Sequence, residues 1–326
     1  MGYIIGIEST AHTFGVAVVN MDGKILSNVK SSYTTDKGGI IPMEVVKHHV
    51  LISNEIFIEA LDVAGIKEDE IEVIAFSNAP GLAPCLIEGM KFAKKLAKKL
   101  DVGLVMVNHC IAHLEIGKIT GAKDPVLLYA SGANTQIIAY EAGKYRVFGE
   151  TLDLGVGNFI DTFARYIGLG FPGGPKIQKL ALESSNLIEL PYSIKGMDVA
   201  FSGLQTKLKS LYDKGALKED LAFSMQEVVF AMLVEAAERA LAHTGKKELV
   251  LGGGVACNSR LQEMAKIMCK ERGAKFFCPP AEFLVDNAGM IAYLGLKMYK
   301  SGIVERDLDK VDIAPRERTD DVEVLW

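Results

Sequence analysis

Short apolar runs alternate with longer amphipathic segments along the whole chain. Residues 3–7, 71–76 and 104–107 have the length and the aliphatic content of buried strands. Residues 42–64 repeat apolar side chains at helical spacing, begin with a proline and end before Gly65, which are signals of a helix start and a helix stop. This alternation predicts an α/β protein with partly parallel sheets.

The same order of elements occurs twice. A hairpin meander opens each half, at residues 3–30 and again at residues 126–148, and alternating helices and strands follow it. The repetition predicts two α/β lobes with duplicated mixed sheets and a central cleft. We place the first lobe at residues 1–121, with the 302–326 tail as a candidate addition to it, and the second lobe at residues 122–301.

Composition narrows the class of protein. The chain has 326 residues, of which 49% are hydrophobic and 24% charged, enough for a large core in two lobes. The net charge of −5 gives no general attraction to nucleic acid, so an RNA contact needs a local patch or a partner's surface. Five cysteines without a Cys-x-x-Cys spacing fit a reduced, cytoplasmic protein. No apolar run reaches the roughly 18 residues of a membrane span.

The strongest candidate for chemistry is the pair His109 and His113. The two histidines follow an apolar strand, and their spacing places both imidazoles on one face of a helix, where they can reach one metal ion. A zinc protease with this spacing needs a glutamate directly after the first histidine as its general base. Cys110 occupies that position, which argues against protease chemistry.

Two histidines alone would hold a metal loosely, so a third ligand is expected. Asp286, at the start of the last long helix, is the best acidic candidate. Because Asp286 falls in the predicted second lobe, the ion would lie in the cleft. Such a histidine pair by itself is more often structural, and the nucleotide-type turns elsewhere in the chain favour the metal interpretation. The other histidines, His12, His48, His49 and His243, show no clear partner and are interpreted as surface or core residues.

Four turns are candidates for nucleotide binding. Residues 7–13 and 129–135 are hairpin turns whose backbone N–H and hydroxyl groups could hold phosphate oxygens. Residues 252–260 place a run of glycines between a buried strand and a helix start, which suits a base or a phosphate. Residues 171–176 open another helix, and Asp161 upstream could accept hydrogen bonds from ribose hydroxyls. Each turn alone is also compatible with an ordinary structural bend.

A stripe of lysines follows one face of a predicted helix. Its members are Lys91, Lys94, Lys95, Lys98 and Lys99. A stripe of this kind is usually a solvated helix face, and contact with RNA phosphates is the alternative interpretation.

Residues 5–13, 108–113, 171–175 and 286–287 together match one family very specifically. They resemble the universal tRNA threonylcarbamoyladenosine synthase family, which contains the bacterial TsaD proteins and the archaeal and eukaryotic catalytic subunit of the KEOPS complex. The resemblance covers nearly the whole chain, and the Ala-His-Thr at residues 11–13 is of the archaeal type. It implies a two-lobed actin- and sugar-kinase-like (ASKHA) fold.

The resemblance also implies the site residues. The implied metal ligands are His109, His113, Tyr129 and Asp286, with Fe²⁺ or Zn²⁺ as the ion. The implied contacts to ATP, ADP or threonylcarbamoyl-AMP, with Mg²⁺ as a possible companion ion, are Tyr129, Ala130, Ser131, Gly132, Ala133, Asp161, Gly174, Gln178 and Asn258. Two of these positions depart from the family pattern. Ala133 stands where glycine is common, and Gln178 stands where an acidic residue is common.

The implied activity is metal-assisted transfer of a threonylcarbamoyl group from threonylcarbamoyl-AMP to N6 of the tRNA adenosine adjacent to the anticodon. The implied partners are KEOPS-type subunits, namely an atypical kinase, a small dimerising subunit and a regulator. Two alternatives stay open. One is a kinase or ATPase in which Glu8 positions water or Mg²⁺, and the other is a nucleotide-gated scaffold. Neither alternative needs a transition metal, so metal content distinguishes them from the transferase.

Overall fold

The computed structural model describes residues 2–35 and 41–326. These residues form two compact units. Unit 1 contains residues 2–34, 41–116 and 286–326, and unit 2 contains Thr35 and residues 117–285. This division differs from the predicted one, because residues 286–301 pack in unit 1 although the sequence order placed them in the second lobe.

Within the described ranges the strands are β1 (Tyr3–Glu8), β2 (Thr13–Asn20), β3 (Ile25–Ser32), β4 (Ile71–Ala79), β5 (Gly103–Asn108), β6 (Val126–Ala130), β7 (Thr135–Glu141), β8 (Lys144–Glu150), β9 (Ile194–Lys195), β10 (Asp198–Val199), β11 (Glu248–Gly252) and β12 (Lys275–Phe277). The helices are α1 (Pro42–Ala64), α2 (Ala83–Leu100), α3 (His109–Gly117), α4 (Val156–Tyr166), α5 (Gly174–Ala181), α6 (Ser202–Asp213), α7 (Lys218–Thr244), α8 (Ser259–Arg272), α9 (Ala281–Leu284) and α10 (Ala288–Lys300). The bounds of α1 are those that the sequence predicted, whereas the two-residue strands β9 and β10 are too short to leave a periodic pattern.

The two units contain sheets of the same topology. The order is β3-β2-β1-β4-β5 in unit 1 and β8-β7-β6-β11-β12 in unit 2. In each sheet the first three strands form an antiparallel meander, and the next two run parallel to the first strand of the meander. The predicted duplication of a mixed α/β sheet is therefore confirmed.

Helix α10 packs on the sheet of unit 1, against β1, β2, β4 and β5. Two glycines permit this close approach. A Cβ on Gly6 of β1 would overlap backbone atoms of Ala288 and Ala292, and a Cβ on Gly295 of α10 would overlap Ala75 of β4. These contacts explain why residues 286–301 belong to unit 1.

Each unit has its own apolar core. In unit 1, α1 and α2 cover the sheet, and Phe57 and Phe92 pack edge to face with ring centroids 6.3 Å apart. In unit 2, the long helix α7 lies in a core that includes Phe159 and Phe201. No helix in the part of the chain that the structure describes is long and apolar enough to cross a membrane.

Candidate metal centre and nucleotide turns

Three potential ligands converge in unit 1. The ligand atoms of His109, His113 and Asp286 all lie within 4.8 Å of one another. Oδ1 of Asp286 is 3.3 Å from Nε2 of His109 and 3.6 Å from Nε2 of His113. Two imidazoles and one carboxylate are a donor set that catalytic zinc and non-haem iron(II) both accept. The predicted pair, His109 and His113, and the predicted third ligand, Asp286, therefore lie together. All three belong to unit 1, whereas the sequence order placed Asp286 in the second lobe.

The histidines are placed by the junction of β5 and α3. Asn108 ends β5, and its Oδ1 accepts hydrogen bonds from the backbone N–H groups of Cys110 and Ile111 at 3.1 and 3.2 Å, as a helix N-cap does. The amide of Asn108 donates to Glu317 at 2.8 Å, which ties the C-terminal segment to this junction. Because the cap fixes where α3 begins, it also fixes which face presents His109 and His113.

Asp286 is placed by the start of α10. Asn287 caps the helix by accepting a hydrogen bond from the backbone N–H of Met290 at 3.0 Å. Lys30 on β3 donates to the carbonyl of Asp286 at 3.1 Å, and Asn28 accepts from the N–H of Gly289 at 3.1 Å. The carboxylate is thus held by a capped helix that is anchored to the meander of the same unit.

Glu8 completes the surroundings of His109. The carboxylate is fully buried at the end of β1. Its Oε1 accepts hydrogen bonds from the backbone N–H and the hydroxyl of Thr10, and its Oε2 lies 3.0 Å from Nδ1 of His109. A carboxylate that accepts the Nδ1 proton leaves Nε2 as the nitrogen available to a metal. Both oxygens of Glu8 are engaged, which favours an orienting role over the water-positioning role of the ATPase alternative.

The protonation states suit metal binding. Burial lowers the pKa of His113, so the imidazole is neutral at neutral pH. Burial also opposes ionisation of Asp286, but hydrogen bonds from His109 and His113 outweigh it and hold the pKa of Asp286 well below its usual range. Metal ligands must be a neutral imidazole and an ionised carboxylate. Burial raises the pKa of Cys110, so this residue is a thiol and not a base.

The predicted turn after β6 lies in unit 2. Within the turn, the backbone N–H and the hydroxyl of Ser131 both donate to the carbonyl of Asn134, at 2.9 and 2.8 Å. Thr135 Oγ1 accepts from the N–H of Val156 at 2.8 Å, at the start of α4. The hydroxyls predicted to contact phosphate are therefore used to build the turn. Gly132 and Ala133 lie between these residues, and a Cβ on Gly157 would overlap Gly132.

The remaining predicted nucleotide residues also lie in unit 2. Asp161 accepts a hydrogen bond from the N–H of Gly173 at 2.7 Å, directly before Gly174 opens α5. Gln178 donates to the hydroxyl of Ser259 at 3.0 Å. Asn258 caps α8 and donates to Gln226 at 2.8 Å. One small cavity is lined by Gly174, Gln226 and Asn258 among others, so the turn before α5 and the turn before α8 are neighbours.

The glycine run after β11 adjoins the turn after β6. Gly253 has a φ of +88°, and a Cβ there would overlap the carbonyl of Ala130. Tyr129 lies on β6, pairs with Gly252 and is buried with 1% of its surface exposed. Tyr129 belongs to unit 2, whereas the three clustered ligands belong to unit 1.

The lysine stripe lies on the outer face of α2. Lys91 pairs with Glu88 at 2.7 Å, and Lys99 pairs with Glu68 at 2.5 Å. Lys95 and Lys98 are exposed. This is the solvated, partly neutralised helix face that such a stripe usually forms.

Comparisons with solved structures support the fold. The chain is similar to HypF of Thermococcus kodakarensis, with a TM-score of 0.66 and 16% identity over 94% of this chain and 49% of that one. It is also similar to component A of the (R)-2-hydroxyglutaryl-CoA dehydratase of Acidaminococcus fermentans, with a TM-score of 0.59 and 14% identity over 92% of this chain and 98% of that one. At these identities the likeness concerns the fold alone, and it agrees with the predicted actin- and sugar-kinase-like class.

Comparisons of sequence are more specific. Residues 24–293 match the family model TsaD, described as tRNA N6-adenosine threonylcarbamoyltransferase. A protein of that name from Thermococcus kodakarensis is 54% identical over 99% of both chains. A probable bifunctional tRNA threonylcarbamoyladenosine biosynthesis protein of Methanocaldococcus jannaschii is 50% identical over 99% of this chain and 60% of its own length. On this evidence of sequence, fold and clustered ligands, the chain belongs to the TsaD family of tRNA N6-adenosine threonylcarbamoyltransferases.

Proposed function

We propose that this chain transfers a threonylcarbamoyl group from threonylcarbamoyl-AMP to N6 of the adenosine adjacent to the anticodon of tRNA. The observation that carries the proposal is the cluster of His109, His113 and Asp286, oriented by buried Glu8, in a chain of the TsaD family. In the reaction the adenosine amine forms a new C–N bond to the carbamoyl carbon, the bond from that carbon to the AMP oxygen breaks, and the amine loses a proton.

The proposed metal is Fe²⁺ or Zn²⁺, held by His109, His113 and Asp286, with Tyr129 as a proposed fourth ligand. When bound, the ion supplies Lewis-acid polarisation of the threonylcarbamoyl carbonyl. Glu8 holds the Nδ1 proton of His109, and the caps of α3 and α10 keep the ligand side chains in place. These contacts hold the ligand side chains in place before the reaction, so the side chains do not have to rearrange during it.

The proposed adenylate site is in unit 2. Asp161 and Gln178 are the proposed contacts to ribose hydroxyls, and Gly174 and Asn258 line the adjoining cavity. The backbone of residues 130–133 is the proposed neighbour of the phosphate. Gln178 carries no charge, so it contributes a hydrogen bond to a hydroxyl without the charge assistance of an acidic residue.

The proposed setting is the cytoplasm, in a KEOPS-like complex with an atypical kinase, a small dimerising subunit and a regulator. The five cysteines, all in the described part of the chain, form no disulfide bonds, which suits a reducing compartment. Several large apolar side chains of α1 are exposed, as expected for a surface that a partner covers. They are Met43, Val50, Leu51, Ile58 and Val63.

A reconstituted transfer assay tests the proposal. Metal-loaded protein is mixed with threonylcarbamoyl-AMP, unmodified tRNA and the candidate partner subunits, and the digested tRNA is examined for threonylcarbamoyladenosine by mass spectrometry. We expect the modified nucleoside with the wild type and its loss, together with loss of the metal, in His109→Ala. Steady ATP hydrolysis without any modified nucleoside, in protein that contains no stoichiometric iron or zinc, would instead support the ATPase alternative.

A further inference from the structure

His49 is buried in the first half of α1, next to the hairpin that joins β1 and β2. Only 1% of its surface is exposed. Its Nε2 lies 3.0 Å from the carbonyl oxygen of Ala11 in that hairpin, and its ring packs against Phe14 with centroids 5.5 Å apart. A carbonyl oxygen can only accept, so Nε2 of His49 carries the proton and donates.

The neighbouring groups agree with this assignment. Nδ1 of His49 lies 3.3 Å from Nδ1 of His48, and Nε2 of His48 lies 3.0 Å from the hydroxyl of Ser31 on β3. A neutral His49 that is protonated at Nε2 accepts at Nδ1, so His48 donates from Nδ1 and in turn accepts the Ser31 proton. Burial lowers the pKa of His49 to about 4, which keeps it neutral at neutral pH. One proton arrangement therefore satisfies the whole chain of hydrogen bonds.

A second set of hydrogen bonds begins at Thr10, and the backbone of residues 10–11 joins it to the first. Ala11 follows Thr10 directly, and the N–H and hydroxyl of Thr10 both donate to Oε1 of Glu8. Oε2 of Glu8 accepts from Nδ1 of His109 at 3.0 Å. His49, Thr10, Glu8 and His109 are all at most 4% exposed, so water does not compete for these contacts.

We propose that His49 is a positioning residue for the metal centre: its hydrogen bond to Ala11 sets the hairpin that carries Thr10 and Glu8, and through Glu8 it sets the orientation of His109. The inference rests on the proposed metal centre. It connects the inner face of α1 to a metal ligand through the hairpin and Glu8, while the outer face of the same helix exposes apolar side chains.

The substitutions separate the hydrogen bond from simple packing. His49→Leu keeps an apolar side chain in the core and removes the donor to Ala11, whereas His49→Gln offers an amide N–H at about the position of Nε2. Phe57→Leu is the matched control, because Phe57 is a buried residue of the same helix, is 3% exposed and packs on Phe92 of α2.

The measurement is the dissociation constant for Zn²⁺, obtained with a chromophoric competitor, and the absorption spectrum of the Co²⁺-substituted full-length protein. Loss of a direct partner of a metal-binding histidine costs ~10–100-fold in affinity, and we expect a smaller loss of about 3–10-fold for His49→Leu, which acts through the hairpin and Glu8. We expect a changed Co²⁺ spectrum in the same variant, recovery of most of the affinity in His49→Gln, and a wild-type metal affinity in Phe57→Leu despite its lower stability.

Three outcomes would overturn the proposal. The first is a Zn²⁺ affinity of His49→Leu within twofold of the wild type, the second is an equal loss in Phe57→Leu, and the third is no recovery in a folded His49→Gln. A wild-type protein that binds no metal would remove the proposed centre itself, and this inference with it. The assay does not depend on transfer activity, so failure of the transferase proposal is distinguishable from failure of this one.

Discussion

Replacing Glu8 with glutamine should weaken metal binding while leaving the fold intact. The amide oxygen of Gln can still accept both hydrogen bonds from Thr10, but the amide NH₂ would then face Nδ1 of His109, which donates to Glu8 in the wild type. Two donors cannot face each other, so His109 has to move its proton to Nε2. That nitrogen points to Asp286 at 3.3 Å and is the one that a metal needs.

The size of the effect follows from the burial of Glu8, which is 0% exposed. A hydrogen bond to a charged group is worth about 1.5–3 kcal/mol. At about 1.4 kcal/mol per factor of ten, this loss corresponds to roughly 10–150-fold in metal affinity. The range agrees with the ~10–100-fold cost of removing the outer partner of a metal-binding histidine.

A competition titration of Zn²⁺ against a chromophoric chelator measures this change. The matched control is Glu317→Gln, which removes the same charge at the same β5–α3 junction and keeps an amide oxygen to accept the hydrogen bond from Asn108. We expect the control to bind Zn²⁺ within about threefold of the wild type. An unchanged metal affinity in Glu8→Gln, combined with lost ATP hydrolysis, would refute the orienting role and favour the ATPase alternative.

Three further predictions concern other parts of the molecule. Gly6→Ala should destabilise the protein by about 1–3 kcal/mol in urea unfolding and should also weaken Zn²⁺ binding. The reason is that the added Cβ overlaps Ala288, at the start of the helix that follows Asp286. An unfolding midpoint equal to that of the wild type would contradict this prediction. Leu51→Glu should weaken association with the proposed partner that covers α1, measured by size-exclusion chromatography with each candidate subunit, and should change stability by less than about 0.5 kcal/mol, since Leu51 is 80% exposed. Unchanged association with every candidate subunit would exclude α1 as the docking surface. His49 has a pKa lowered from 6.5 to about 4, so the unfolded chain binds its proton first. The contribution of His49 to the free energy of unfolding should be fully present above about pH 6.5 and should fall by about 3 kcal/mol as the pH is lowered to 4. In urea unfolding at different pH values, His49→Gln should lose less stability over this range.

The local elements of this protein follow from its sequence. The helix of residues 42–64 was predicted with its observed bounds, because its apolar period, its initial proline and Gly65 all act within a few residues. The spacing of His109 and His113 places them on one helix face for the same reason. The repeated order of strands and helices likewise predicted two sheets of equal topology, and both are present.

Long-range packing, and not the order of elements in the sequence, determines which unit contains Asp286 and α10. Asp286 follows a segment of unit 2 but lies in unit 1, because Gly6 and Gly295 allow α10 to approach the first sheet closely. Which sheet a helix covers depends on the shapes of surfaces that are far apart in the chain, and the periodicity of the helix does not record it.

The partners of polar side chains were also decided by the tertiary structure. From the sequence, Ser131 was predicted to contact a ligand, Glu8 was a candidate for positioning water, and His49 was interpreted as a surface or core histidine. In the fold, Ser131 donates within its own turn, Glu8 accepts from His109, and His49 donates to Ala11. A buried polar group must find a partner, but the partner is chosen by strands and helices that meet only after folding, so the sequence alone determines the need for the bond and the tertiary structure determines its other end.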